Sequence, residues 1–385
     1  MSSKTEIARK NVSTRINVTK SSLPPFEEYC AEIAPLWESR WLTNCGIKHN
    51  QLENALQEYL GVDCVSLFAN GHSALECLLE ALELGKDGRN EVITTPFTFA
   101  STVHAIVRKG LKPVFADIKP SDYTIDPTSV ERLVNGKTCA LLPVHVYGNL
   151  CDVDTIREIA DLYDLKLIYD AAHAFGVSRR GISAACFGDA SMLSFHATKV
   201  FNTIEGGAVC CSDPQLYERL TQWRNFGIVD EECVRYPGGN AKMNEFSAAM
   251  GLCNLRHVED EIARRKNATE QYWRLLDGTP GLKFSGPAPG VVSNYAYMPI
   301  EIDPEVFGAT RDEVAAALAA EEIYARRYFY PLASEFECYK NFTLENETPV
   351  ARKVSKSVLV LPLFADLTTN DIIRISRVIR RCANE

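Results

Sequence analysis

A lysine forms a Schiff base only after losing its proton, so a candidate must sit where its pKa falls from the usual value of about 10.4. Lys199 closes the run Ser194-Phe-His-Ala-Thr-Lys199, directly after an apolar β-rich stretch and just before the turn Glu205-Gly-Gly. Alone, such a lysine is an ordinary surface charge. A second segment changes that reading. Leu167-Ile-Tyr-Asp170-Ala-Ala-His173 is an apolar strand ending in a carboxylate. An aspartate there can pair with the pyridinium nitrogen of pyridoxal phosphate and keep its ring an electron acceptor. The same residue could equally cap a turn or a helix, and His173 reads either as a structural histidine or as a contact to the cofactor ring.

Two further segments fit the same chemistry. Ala69-Asn-Gly-His72-Ser73-Ala74 lies between an apolar strand and a helix. The opening turn of a helix offers free N–H groups and a positive dipole end to a phosphate, and Ser73 adds a hydroxyl. Thr95-Pro-Phe-Thr-Phe99-Ala-Ser-Thr102 offers an aromatic ring for stacking, although an aromatic residue in such a run is more often core. Glycine turns before helices are common, so none of these segments decides the matter by itself.

Their order does. Phosphate loop, aromatic, aspartate and lysine in this succession resemble the fold-type-I pyridoxal-phosphate enzymes. More narrowly, residues 22–380 resemble the DegT-type sugar aminotransferases, which act on nucleotide-linked keto sugars. The segments that carry the resemblance are WLTNCG (41–46), NGHSAL, TPFTFAST, YDAAHAFG, SFHATK with EGG, and RNFG…KMNEFSAAMGLCNL (224–255). The resemblance implies that Lys199 carries the Schiff base and shuttles the proton, that Asp170 binds the pyridinium, and that Phe99 stacks on the ring with His173 beside it. It places His72, Ser73 and Ser194 at the cofactor phosphate. Asn244 matches an asparagine that reaches that phosphate from the neighbouring subunit, which implies a homodimer with shared sites; it also sits where a plain helix N-cap would. A small hydroxyl residue is commoner at position 72, so the side chain of His72 departs from the pattern. Some relatives carry histidine in place of the lysine and dehydrate sugars; with Lys199 present, transamination is the expectation.

The form F-H-A-T-K…E-G-G is similar to the branch acting at C-4 of dTDP-4-keto-6-deoxyglucose, whereas relatives acting at C-3 more often read N-P-T-K…G-D-G-G. The expected product is dTDP-4-amino-4,6-dideoxyglucose with L-glutamate as amino donor. A C-3 transaminase and a noncatalytic sugar-nucleotide sensor of the same fold are the alternatives. In 324–332, YARRYFYPL, the residues Arg326, Tyr328 and Tyr330 are candidates for substrate binding.

The elements that must position these residues alternate along the chain. Apolar β-rich runs at 64–68, 92–95, 112–117, 139–146, 166–170, 190–195 and 208–211 are separated by helical stretches at 51–60, 73–84, 101–109 and 153–163. Such alternation predicts an α/β fold, a mixed, mostly parallel sheet between helices. Ligands of these sheets bind at the carboxyl ends of strands, where the four segments above fall. Beyond about residue 255 a charged helix over 258–276, strands within 293–302, a helix opening at Thr310 and a last helix from about Asn370 predict a smaller C-terminal α+β domain. The expected division is a flexible arm over 1–21, a large cofactor-binding domain over 22–255 and the smaller domain over 256–385.

Bulk properties narrow the class. A net charge of −9 argues against nonspecific binding to nucleic acid or an anionic membrane, and no apolar run approaches the ~20 residues that span a bilayer. The first twenty residues lack the apolar stretch of a secretory signal. The 13 cysteines are scattered without a C-x-x-C pair, which suits a reducing cytoplasm rather than a disulfide framework or a metal site.

Overall fold

A computed structural model describes residues 15–339 and 347–383. The helix Ile47–Leu60 leads into β1 (Cys64–Phe68), and between them Gly61 ends the helix at φ 66°, a left-handed conformation natural to glycine. Strands β2 (Glu91–Thr94), β3 (Lys112–Phe115), β4 (Thr138–Leu141) and β5 (Lys166–Asp170) each follow a helix. A short hairpin, β6 (Ser178–Arg179) and β7 (Ile182–Ser183), precedes β8 (Ala190–Ser194) and β9 (Gly207–Cys211). The resulting seven-stranded sheet has the order β1-β9-β8-β5-β4-β2-β3, with β9 antiparallel to both neighbours and all other pairs parallel. Its central strands are buried along most of their length. A sheet covered by helices on both faces needs such runs, which explains the apolar stretches in the sequence.

The smaller lobe is built on the antiparallel sheet β10 (Leu282–Lys283), β12 (Met298–Ile302) and β13 (Val358–Leu361), in the order β10-β12-β13. The intervening β11 (Val291–Val292) pairs back onto β6. The helices Arg311–Ala320 and Thr369–Arg381 pack over the small sheet, each opened by a threonine capping box, Thr310 with Glu313 and Thr368 with Asp371. Its core includes Tyr272, Ile300, Phe307, Leu318 and Ile375, all fully buried. Between the lobes, Phe97 and Tyr147 of the large lobe, with Tyr123 packed on both, meet Phe329.

Several boundaries differ from expectation, each for a visible reason. The helix expected from residue 73 begins at Gly71, because Asn70 caps it, accepting the N–H of Ser73 at 2.8 Å. The helix expected over 258–276 is the second half of a single 32-residue helix, Glu245–Leu276, so the expected domain boundary at 255 falls within it. No proline breaks the run, and its buried positions pass from Ala248 and Cys253 to Ala268 and Tyr272. Within 293–302 only Met298–Ile302 is a regular strand, because the preceding segment bonds through the side chain of Asn294 instead of a ladder.

Residues 1–14 of the expected flexible arm lie outside the described residues. Its remainder is docked: Ile16 is buried in the small-lobe core, donates its N–H to Glu322 O at 2.9 Å and accepts from Tyr324 N at 2.8 Å. Here the expectation of a free arm gives way to one apolar side chain finding a strand-like partner.

The WLTNCG segment has a structural explanation. The carboxylate of Glu245, fully buried, accepts the N–H groups of Gly46 (3.1 Å), Lys48 (2.7 Å) and His49 (3.3 Å). It thereby caps the Ile47–Leu60 helix from a distant part of the chain, where an anion is favourable. A Cβ on residue 46 would stand 2.7 Å from Glu245 Cδ, so glycine is needed there.

Candidate active site

The carboxyl ends of β5 and β8 open onto a cavity of about 690 Å³. Asp170, the last residue of β5, enters it 4% exposed. Its Oδ2 accepts the Thr102 hydroxyl at 2.7 Å and its Oδ1 the Ala172 N–H at 3.1 Å. Both hydrogen bonds favour the carboxylate, yet burial outweighs them and pushes the pKa up. Lys199 reaches the same cavity from the turn after β8, its backbone N–H bonded to His196 O at 2.8 Å. Burial pulls its amine down to about 8, against the opposing charge of Asp170. The amine is therefore partly neutral near physiological pH, as a Schiff-base lysine requires.

His173 is held by its neighbours in one tautomer. Its Nδ1 accepts the Tyr147 N–H at 3.1 Å, so in the neutral ring the proton sits on Nε2. Burial holds it neutral, well below its ordinary pKa. Its ring packs on Tyr297 at 4.7 Å between centroids and lies parallel to Phe329 at 6.1 Å.

The end of the cavity at the Gly71–Ala81 helix is shaped by close backbone approach. Ser194 on β8 pairs with Gly207 on β9. A Cβ on Gly207 would stand 2.6 Å from Gly71 Cα, and a Cβ on Gly71 3.0 Å from Ser194 Cβ. Glycine at both positions lets the start of the Gly71–Ala81 helix press against the two strands. Asn70, Gly71, His72 and Ser194 line the cavity there. The His72 ring turns aside, Nδ1 2.9 Å from Ser101 Oγ and Nε2 3.5 Å from Glu76 Oε1.

Of the residues singled out in the sequence, Lys199, Asp170, His173, His72, Ser194, Phe99, Arg326 and Tyr328 are gathered around this one cavity. Ser73 is not among its lining residues, and its N–H is taken by Asn70. Tyr330 lines only an adjoining groove of about 570 Å³, which shares Phe99, Arg326, Tyr328 and Phe329 with the cavity. Asn244 is elsewhere, exposed at the N-cap of the long helix and accepting the Ser247 N–H at 2.9 Å. Thr102, His104 and Tyr297 belong to the site and escaped the sequence reading. Thr102 stood within a recognised motif, one helical turn beyond Phe99; nothing in the sequence around Tyr297 marked it.

The residues present fit pyridoxal phosphate. Asp170 is a buried acid whose hydrogen-bond partners are a hydroxyl and an N–H rather than a guanidinium or ammonium, so a cationic ring nitrogen would supply its missing counter-charge. A helix N-terminus for a phosphate, a depressed lysine for a carbonyl and this acid share one cavity of suitable size. Among the described residues, no helix is long and apolar enough to cross a membrane, and none of the cysteines is paired.

The chain is 42% identical over 365 residues to a dTDP-4-amino-4,6-dideoxy-D-glucose transaminase of Shigella dysenteriae, covering 95% of this chain and 98% of that one. A protein of the same name from Escherichia coli is 41% identical, over 94% and 98%. The solved structure of DesI, determined in the presence of its TDP-sugar product, superposes with a TM-score of 0.91 at 34% identity, covering 96% of this chain and 93% of that one. Residues 26–380 match the DegT/DnrJ/EryC1/StrS aminotransferase family, and the chain belongs to that family.

Proposed function

We propose that the protein moves an amino group from L-glutamate to C-4 of dTDP-4-keto-6-deoxyglucose, giving dTDP-4-amino-4,6-dideoxyglucose, with pyridoxal phosphate held at Lys199. The observation that carries this is the cavity in which a depressed lysine and a buried acid meet at the start of a helix. The two transaminases of that product, so similar over nearly their whole length, support the choice of sugar. When bound, the cofactor supplies an electron sink conjugated to the carbon that gains or loses a proton. Asp170 holds the ring nitrogen protonated, with Thr102 fixing its orientation. His173 through its Nε2–H and Phe99 through its ring would hold the aromatic part of the cofactor, and the helix N–H groups with Ser194 would hold its phosphate. Lys199 Nζ takes a proton from the donor's α-carbon and delivers one to the sugar carbon.

The adjoining groove suits the rest of the substrate. Arg326 stands 5.6 Å over the Tyr328 ring, and Tyr330 and Phe336 add aromatic walls, a chemistry that fits a nucleoside diphosphate. A homodimer completes the reading. Phe26 (74%), Trp37 (65%) and Trp41 (57%) expose large apolar surfaces near the N-terminal end of the chain. Asn244 lies beside them, since the next residue donates its N–H to Leu42 O at 3.0 Å.

The test is product analysis. Incubated with dTDP-4-keto-6-deoxyglucose and glutamate, the protein should yield 2-oxoglutarate and a sugar whose NMR spectrum places the amine on C-4. Turnover of a 3-keto isomer alone would move the assignment to C-3. No spectral response to glutamate in cofactor-loaded protein would favour a noncatalytic sensor.

A further inference from the structure

The segment just before β12 carries a residue that the assigned roles leave unused. Tyr297 Oη lies 3.4 Å from Lys199 Nζ, and that amine stands 6.0 Å from the centre of the tyrosine ring. The ring is wedged against His173 (4.7 Å), Tyr147 (5.6 Å) and Tyr328 (6.3 Å), so its hydroxyl has little freedom to swing away. This placement is built from the backbone up. Asn294, three residues earlier and 1% exposed, donates both amide hydrogens across the lobes, to His173 O at 2.8 Å and Phe175 O at 2.9 Å. Its Oδ1 accepts the Ala296 N–H at 3.1 Å and turns the chain toward the cavity. Gly148 makes room for this, because a Cβ there would stand 2.7 Å from that oxygen. The clamp thus ties the loop that holds His173 to the segment that presents Tyr297.

We infer that Tyr297 is a positioning residue for Lys199, its hydroxyl holding the free amine at the cavity floor whenever the lysine is not bonded to cofactor. The inference rests on the proposed function above. A phenol suits the task because it is both donor and acceptor: it accepts from an ammonium and donates to a neutral amine, so it follows Lys199 through both charge states. Burial keeps that proton on the phenol by raising its pKa. The titratable and charged groups around the pair are Asp170, His173, Tyr147 and Tyr328, with Arg265 beyond Tyr297. None of them is hydrogen-bonded to the amine among the described residues, which leaves Tyr297 as the one group holding its aim.

The experiment uses cofactor-free protein and Tyr297→Phe, which keeps the ring and removes the hydroxyl. Capture of pyridoxal phosphate is followed by growth of the visible absorption band, and affinity for pyridoxamine phosphate is measured in parallel, since that compound has no carbonyl for Lys199 to attack. The variant should capture pyridoxal phosphate more slowly by on the order of tenfold, the equivalent of one net hydrogen bond. Its affinity for pyridoxamine phosphate and its thermal midpoint should stay as in the wild type, and kcat should fall with KM for the keto sugar unchanged. Tyr295→Phe, at a position that does not line the cavity, should behave as wild type. Equal capture by Tyr297→Phe and wild type would overturn the role of Tyr297 alone. So would a parallel loss of pyridoxamine phosphate affinity, which would mean that the ring merely shapes the pocket. Wild-type protein that captures no pyridoxal phosphate would overturn the proposed function itself.

Discussion

The hydroxyl of Thr102 donates a 2.7 Å hydrogen bond to Oδ2 of Asp170, and Thr98 Oγ1 stands 2.9 Å behind it. With its proton committed to the carboxylate, the Thr102 oxygen accepts from Thr98, so the pair forms a short relay aimed at the acid. The helix that carries Thr102 begins directly after Phe99. One element therefore carries both Phe99, at its N-cap, and the hydroxyl that supports Asp170.

Asp170→Asn keeps the shape and removes the charge. The proposed role predicts a loss of turnover on the order of 10²-fold or more, the scale of a single preorganised charge contact. Thr102→Val, which removes only the supporting hydroxyl, should cost about tenfold. Steady-state kinetics on both variants check this, and full activity in Asp170→Asn would mean that the cofactor lies elsewhere.

Lys199 gives a pH-dependent signature. Its amine is lowered to about 8, so the neutral, reactive fraction grows as pH rises through that value and levels off above it. The rate of cofactor capture should follow the same curve. In an unperturbed lysine the rise would come about two units higher, near its usual value. Borohydride reduction of loaded protein should fix the cofactor to the peptide containing Lys199, and Lys199→Ala should bind cofactor without being labelled. Label on another peptide would refute the assignment.

Gly46→Ala probes the cap made by Glu245. The added methyl meets a fully buried carboxylate that is itself held by three N–H groups. Overpacking of this kind costs about 1–3 kcal/mol, and urea unfolding should show that loss. Glu245→Gln keeps the volume but loses the charge at the helix start, with a cost of about 1–2 kcal/mol expected. An unchanged urea midpoint in both variants would show that the segment relaxes without them.

The shared-site dimer is tested through Asn244 by mixing subunits. Lys199→Ala and Asn244→Asp should each be inactive, the second because a carboxylate repels the partner's phosphate while still capping the helix. After co-refolding, half of the dimers are mixed, and each of these has one site with both residues intact. Activity should return to roughly a quarter of wild type, by random pairing in a two-fold dimer. Activity that stays at background would place Asn244 in its own subunit's site, and an Asn244→Asp protein with normal cofactor affinity would leave it the capping role its bond to Ser247 displays.

How much was legible in the sequence depends on the range of the interaction that decides each residue. β5 carries its own apolar run and ends where expected at Asp170, because a strand covered on both faces leaves little freedom in its pattern. Lys199, His173 and Phe99 stood in local motifs beside such strands. Asn294 and Tyr297 did not, since their hydrogen-bond partners lie 98 to 121 residues back and side-chain bonds replace the ladder there. The start of the Gly71–Ala81 helix shifted because capping chemistry, weak in pattern but strong in geometry, favoured Asn70. Tyr330 stands close to Arg326 and Tyr328 in sequence, but the turn of the chain sends it to the neighbouring groove alone.

The Glu245–Leu276 helix has a consequence for anyone dissecting this protein. Its first turns pack on the Ile47–Leu60 helix and its last on Thr369–Arg381. A fragment ending at residue 255 would keep a stub of the rod and shed the rest, and the complementary fragment would begin on a stripe with nothing to cover it. Neither piece would be a folding unit. The same rod runs through both lobes as a common axle, so a change that bends it would disturb the two cores together.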